Sequence, residues 1–276
     1  MAYDDFTLIK IARDGGVLTA TVDAPPINIV TLALFGELAR LSSEAAADSS
    51  LRVLVLKSAD PDFFLTHFDV AAILAFPTDI APTREATGAN PWHAMCDRFA
   101  TMDAVTIAQI EGRVGGGGAE LAMSFDMRFG ALGKTVINQM EVPLGILPGG
   151  TGTQRLPRLV GRGRALEMIL GGVDVDAEAA ERWGWLNRAL APHAIDPHVA
   201  TLARRIARFP PEAARLAKRA IGHAETPMTG GLIEEALLFQ TLIRTPEARA
   251  AMTRFLEIGG QTRAGELRVA EVSGEL

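Results

Sequence analysis

Cysteine is almost missing from this chain of 276 residues: Cys96 stands alone. No internal disulfide can form, and a reducing compartment suits such a protein. In "HAMCDRF" the residue reads as a small buried hydrophobe. A basic excess is also missing. The 27 Lys and Arg face 33 Asp and Glu, for a net charge of -6, which argues against a nucleic-acid partner held on a basic face. An anionic ligand would have to find local cations or backbone N–H groups. Nothing approaches the roughly 20 uninterrupted apolar residues of a membrane span. The start, "MAYDDFTLIKIARDGG", has two early aspartates and no sustained apolar run, unlike a signal peptide. The expected location is cytoplasmic, with no membrane partner. No repeat of fixed period is present.

The chain is 48% hydrophobic, enough for a sizeable core. "FTLIKIARDGGVLTATVDAPP" alternates apolar and polar residues on both sides of Asp14-Gly15-Gly16, which predicts a hairpin ended by Pro25-Pro26. "LALFGELARLSSEAAA" places Leu34, Leu38 and Leu41 at helical spacing, and "LRVLVLKSA" follows as a buried strand. Strand, helix and strand imply a parallel crossover. "VTIAQIEG", "MRFGAL" and "KTVINQM" read as further strands, with a short helix at "ELAMSF". From about Asp176 the chain reads as helical; Asp176 is an expected N-cap and Gly184 a stop. The expected division is an α/β core over 1–195 and a helical segment over 196–276. "FPTDIAPTREATGANP", residues 76–91, reads as a mobile surface loop and candidate lid. The end of the chain is polar and weakly patterned.

One stretch needs a special explanation. "GRVGGGGAELA" sets Gly115, Gly116, Gly117 and Gly118 before Glu120. A Walker A loop would close with Lys-Ser/Thr, and a Rossmann fingerprint would open the first crossover helix, so both fail. What remains is a strand–turn–helix junction whose free backbone N–H groups can approach a ligand oxygen, as an oxyanion hole requires. On the run alone, tight helix–strand packing is the simpler account. Twenty-one residues after Glu120, Glu141 closes an expected strand and meets the loop of Gly145, Pro148, Gly149 and Gly150. An acidic residue there is a candidate catalytic carboxylate, or a solvated loop residue.

Taken together, "IEGRVGGGGAELAMSFDMRFG" and "NQMEVPLGILPGGTGTQRLPRLVGRGRALEMILGG" resemble the crotonase family of enoyl-CoA hydratases and isomerases. "DAEAAERWGWLNRAL" and the Asn-containing "DAPPINIVT" resemble further segments of that family. The resemblance implies an α/β fold, a crotonase-type spiral of ββα units with a helical C-terminal segment, assembled as a homotrimer or a dimer of trimers. It implies an acyl-CoA substrate, coenzyme A entering as part of it, with no bound cofactor and no metal. Glu120 and Glu141 match the two catalytic glutamates of the hydratases. The oxyanion-hole donors match the N–H groups of Gly117 and of Phe68 in "FFLTHFD". Asn28, His67, Asp69, Gly116 and Gly149 fall at substrate-side positions.

Adding water across a C=C conjugated to a thioester needs one proton removed from water and one delivered to the α-carbon, which two carboxylates can share. Glu120, placed in the first turn of its helix, is expected as base or water holder, and Glu141 as acid. The alternatives are an isomerase, an aromatic acyl-CoA hydratase-lyase, a hydrolase, or a non-catalytic acyl-CoA-binding protein. Phe63, Phe64 and Phe68 would suit a pocket for a ring. A Clp-type serine protease would need a nucleophilic serine, and Ser124 reads as a buried hydroxyl. The sequence departs from the family at His67-Phe68 (usually Gly-Ala), at Met140 (usually Pro), at Thr151, and in lacking a basic C-terminal motif. Arg254, Arg263 and Lys218 are the cations available in its place, each expected on a solvated helix face.

Overall fold

The computed structural model describes residues 3–84, 87, 90–209, 211–222, 229–273 and 275–276. The chain opens with the expected hairpin, β1 (Ile9–Asp14) and β2 (Val17–Val22), paired antiparallel around Gly15-Gly16. Helix α1 (Leu32–Ala47) is capped by the Thr31 hydroxyl and buries Leu34, Leu38 and Leu41, as its spacing predicts. It crosses to β3 (Val53–Ser58), which lies parallel to β2.

A two-step pattern then recurs. β3 is followed by β4 (Phe63–Leu65) and the helices α2 (Val70–Leu74) and α3 (Pro91–Thr101). β5 (Val105–Ile110) is followed by β6 (Arg113–Gly115) and α4 (Gly116–Ala122). β7 (Met127–Ala131) is followed by β8 (Val136–Asn138), α5 (Gly152–Val160) and α6 (Arg162–Gly171). In each round the first strand joins a six-stranded sheet and the second a four-stranded one. β9 (Val175–Asp176) completes the smaller sheet, and after α7 (Ala177–Trp183) β10 (Arg188–Leu190) completes the larger. Pairing is parallel except at β1·β2 and β8·β9. This is a spiral of ββα units. The largest core lies between the sheets and α1 and α3, with Leu54, Leu56, Phe64, Phe99 and Trp185 inside.

The remaining helices are α8 (Pro192–Ala207), α9 (Pro211–Gly222), α10 (Thr229–Leu242), α11 (Pro246–Glu257), α12 (Arg263–Glu266) and α13 (Val269–Ser273). α8 covers the larger sheet through Ile195, Val199 and Ala203. Met252, Phe255, Val269 and Val272 of the last helices pack instead on Val70, Ile73, Met140 and Leu144, the ground beside the glycine run.

Several expectations change. "VTIAQIEG" is one strand that ends at Ile110, because the chain turns at Glu111-Gly112 into the second sheet. Helices begin before Asp176, with α5 and α6; Asp176 itself ends the short strand β9, and one more short strand, β10, follows it. Within the polar end of the chain, Gly265, Glu266, Val269, Val272 and Ser273 are buried. Residues 85, 86, 88 and 89 of the expected lid lie outside the described residues. Among the described residues no helix is long and apolar enough to cross a membrane.

Candidate active site

Gly116, Gly117 and Gly118 are themselves the first turn of α4, with Gly115 as N-cap. Two of them answer physical demands. Gly116 holds φ at +42°, where side chains are rarely tolerated, and a β-carbon there would stand 2.9 Å from His67 Cβ and 3.1 Å from Glu141 Oε1. At Gly118 a β-carbon would stand 2.3 Å from the carbonyl oxygen of Leu65. β4 and α4 therefore touch backbone to backbone, and this contact brings the loop after β4 to the helix start.

That loop carries Phe68. Val30 N–H donates to the His67 carbonyl (2.9 Å) and Asp69 N–H to the Val30 carbonyl (3.0 Å), as in a parallel bridge. The N–H of Phe68 consequently faces away from residue 30. The Phe68 nitrogen lies close to Gly117, whose β-carbon, if present, would stand 3.3 Å from it. Gly117, in the first helical turn, has no intrahelical acceptor for its own N–H. Two backbone donors are thus side by side.

Both glutamates border the same cavity as these donors, a space of about 410 Å³. Glu120 is the fifth residue of α4, not in the first turn as expected, because the helix starts within the glycines. What orients it is the start of α5: Gly150 N–H (2.9 Å) and Gly152 N–H (2.7 Å) both donate to its Oε1. Thr151 between them holds φ at +122°, unusual for a β-branched residue, and this conformation turns both neighbouring amides onto one oxygen. Glu141 lies three residues beyond the end of β8, in a turn closed by Leu144 and Ile146 N–H to its own carbonyl. It does not close the strand, because β8 stops at Asn138 where its antiparallel partner β9 runs out. Glu120 and Glu141 are 4% and 7% exposed.

The rest of the wall is largely apolar. Phe35, Phe68, Phe76 and Trp92 form a chain of ring contacts with centroids 5.6–6.4 Å apart, and Met140, Leu144, Ile146 and Phe239 face them. Phe63 and Phe64 are fully buried in the core, so of the three expected phenylalanines only Phe68 reaches the cavity. Trp92 Nε1 donates to the Gly150 carbonyl (3.0 Å) and His93 Nε2 contacts that of Gly149 (2.9 Å), fixing the loop that holds Glu120. Both ends of the 76–91 loop, Phe76-Pro77 and Asn90-Pro91, border the opening.

The other expected site residues divide. Gly149 and His67 line the cavity, and Gly116 stands beside Glu141. Asn28 and Asp69 support it from behind. Asn28, 1% exposed, accepts from Ala24 N–H (2.8 Å) and donates to Ser58 Oγ (2.7 Å) and the Phe64 carbonyl (3.2 Å), tying down the strand that leads to Phe68. Its side-chain amide is thus engaged with protein. Asp69 caps α2 through Ala71 N–H and accepts from Gln261. Ser124 is buried, its hydroxyl on the Glu120 carbonyl (3.1 Å). Lys218 is not solvated: it pairs with Asp126 (2.8 Å) and donates to the Ala104 carbonyl (2.8 Å). Arg263 pairs with Asp60 and Asp62, and Arg254 lies exposed beside Glu257. Among the described residues no group of three or more His, Cys, Asp or Glu is placed to hold a metal.

One partner was not foreseen. His67 Nε2 lies 2.9 Å from Glu266 Oε1 of α12, both side chains buried. The signal available was small, one of the two glutamates in "TRAGELRVAEV".

Comparison with known proteins agrees with this geometry. The enoyl-CoA hydratase/isomerase family model matches residues 12–262. A probable enoyl-CoA hydratase of Mycobacterium bovis is 30% identical over 91% of this chain and 96% of its own length. A probable mitochondrial enoyl-CoA hydratase of Arabidopsis thaliana is 30% identical over 88% and 80%. The crystal structure of a putative enoyl-CoA hydratase from Streptomyces avermitilis superimposes with a TM-score of 0.89 at 37% identity, covering 98% of this chain and 97% of that one. With spiral, glycine junction and glutamate pair in place, the chain belongs to the enoyl-CoA hydratase/isomerase, or crotonase, family.

Proposed function

We propose that the protein is a hydro-lyase that adds water across the C=C of a 2-enoyl-CoA thioester. The observation that carries this reading is that Glu120, Glu141, Phe68 and Gly117 line one cavity, and the N–H groups of the last two are its proposed oxyanion donors. The thioester oxygen is placed against the two N–H groups. Glu120, oriented by Gly150 and Gly152, holds the water and takes its proton as the oxygen bonds to the β-carbon. Negative charge moves to the thioester oxygen, where each N–H donor contributes on the order of 10²–10³ in rate. Glu141 then delivers a proton to the α-carbon, and the proton held by Glu120 returns to Glu141 before the next turnover. Coenzyme A is part of the substrate, and no separate cofactor enters.

The chain of rings along the wall favours one second reading, an aromatic acyl group on the same thioester. The experiment follows the enoyl-thioester absorbance with crotonyl-CoA and a cinnamoyl-type CoA. The wild type is expected to bleach the band of at least one substrate. Glu120→Gln and Glu141→Gln are each expected to slow it by about 10²–10⁴-fold. A wild-type enzyme at high concentration that leaves both bands intact sinks the proposal.

A further inference from the structure

The reaction above leaves one buried ion pair without a part. His67 and Glu266 are 4% and 2% exposed and lie 199 residues apart in the chain. The imidazole has an acceptor at each nitrogen: Nε2 is 2.9 Å from Glu266 Oε1, and Nδ1 is 2.9 Å from the carbonyl oxygen of Phe68. A neutral imidazole has one N–H and can donate to one of them; with Glu266 ionised, both are satisfied only by the imidazolium. The electrostatics agree. Burial alone pushes the His67 pKa down, but the Glu266 carboxylate, the Phe68 carbonyl and Glu141 outweigh it and leave it above the ordinary value. Burial likewise pushes Glu266 up, and His67, the Gln261 N–H and Arg113 outweigh that and leave it low.

We propose that His67 is a positioning residue of the active site, a buried imidazolium that fixes the Phe68 N–H and places a positive charge behind Glu141, kept charged by Glu266. The geometry is specific to that task. The peptide that carries the Phe68 N–H is held at its oxygen by Val30 N–H. The next peptide is held at the Phe68 oxygen by His67 and at the Asp69 nitrogen by Val30. With the His67 contact gone, Val30 still holds both neighbouring peptides, but the Phe68 carbonyl loses the His67 donor and the Phe68 N–H is fixed less tightly beside Gly117. The charge falls where it matters, since His67 Cβ and Glu141 Oε1 flank Gly116 on the same side. The groups facing His67 are Glu266 from α12, Glu141 from its turn and the Phe68 carbonyl from its own loop, and Glu266 is faced in turn by the Gln261 N–H and by Arg113 of β6. The Phe255 ring of α11 closes the remaining side at 6.0 Å.

The last segment is held to the same loop by more than this pair. Gln261 N–H donates to Glu266 Oε1 (2.8 Å), and its side chain to Asp69 (2.9 Å). Arg263 pairs with Asp60 and Asp62. Residues 261–266 therefore act as a latch on 60–69, and Glu266 is the part of it that reaches the reacting centre through His67.

The kinetic half of this inference rests on the hydratase reading; the protonation half does not. In the full chain, ¹⁵N-histidine NMR spectra recorded from pH 5.5 to 9 are compared with those of His67→Gln to find the His67 signal. It is expected to keep both protons well above about pH 6.5, the ordinary histidine value. A His67 that loses its proton at or below that value overturns the proposal. Glu266→Gln, which keeps shape and removes charge, is expected to lower kcat by roughly 10- to 100-fold with KM nearly unchanged. The loss should be partly recovered in acid, where His67 is protonated without help. An unchanged kcat and pH profile overturns the proposal as well. If Glu266→Gln does not fold, the wild-type titration decides alone. A wild type that hydrates no enoyl-CoA defeats the function proposed above, whereas a neutral His67 defeats this inference.

Discussion

Single residues set the tolerances of this site. The backbone-to-backbone contact at Gly118 is the sharpest, because the atom in the way is the Leu65 carbonyl oxygen and not the end of a flexible side chain. Gly118→Ala is expected to lose about 1–3 kcal/mol of stability by forcing β4 and α4 apart. Urea unfolding measures it, and a midpoint equal to that of the wild type would contradict the contact. Gly115 has a milder reason to be small: its N–H donates to the Thr66 carbonyl (2.8 Å), and a β-carbon would stand 3.1 Å from that same oxygen. The two glutamates and the glycine run were legible in the sequence, because their residue types and spacing are chemically unusual. The hydrogen bonds that Asn28 makes to β4 and Asp69 to α2 were not legible. An amide or carboxylate that braces a loop carries the same letters as one that touches a ligand, and only the partners tell them apart.

Elements were legible in proportion to their length. The β1–β2 hairpin and α1 repeat their pattern often enough to be read, whereas the three-residue β4, β6 and β8 are too short to show alternation. Helix α4 was misplaced at its start for another reason: three glycines with poor helical propensity are drawn into the first turn by packing on β4. The latch of α12 on the Phe68 loop was the least legible, as a single pair separated by 199 residues leaves no local trace. Its electrostatics give the expectation at this scale. The raised His67 pKa contributes stability in full below 6.5, and that contribution is lost as pH rises through the folded value above it. The lowered Glu266 pKa contributes above 4.5 and is lost as pH falls through the folded value below it. The stability gap between wild type and Glu266→Gln should therefore be widest between pH 4.5 and 6.5 and shrink on the alkaline side. Denaturant melts across pH test this, and a gap that is flat with pH would mean the pair carries no charge.

At the scale of the molecule, the surface is not uniformly polar. Phe209, Leu216 and Ile221, in and just before α9, are 47%, 47% and 73% exposed, an apolar stretch more usual at a subunit interface than on a monomer. We expect sedimentation to find a trimer or a dimer of trimers of the 29.4 kDa chain, and Ile221→Lys to shift it toward smaller species with helical content kept. A wild type that sediments as a monomer at micromolar concentration would refute this.

The cavity wall draws on the chain from Leu32 to Gln240, and the pair behind it reaches to Glu266. Contacts between residues so far apart close late in folding, after the entropy of the long intervening loops has been overcome. No partly made version of the protein then carries the whole wall of the cavity. Catalytic competence arrives only with the completed tertiary structure, which makes turnover a certificate that the whole chain has matured.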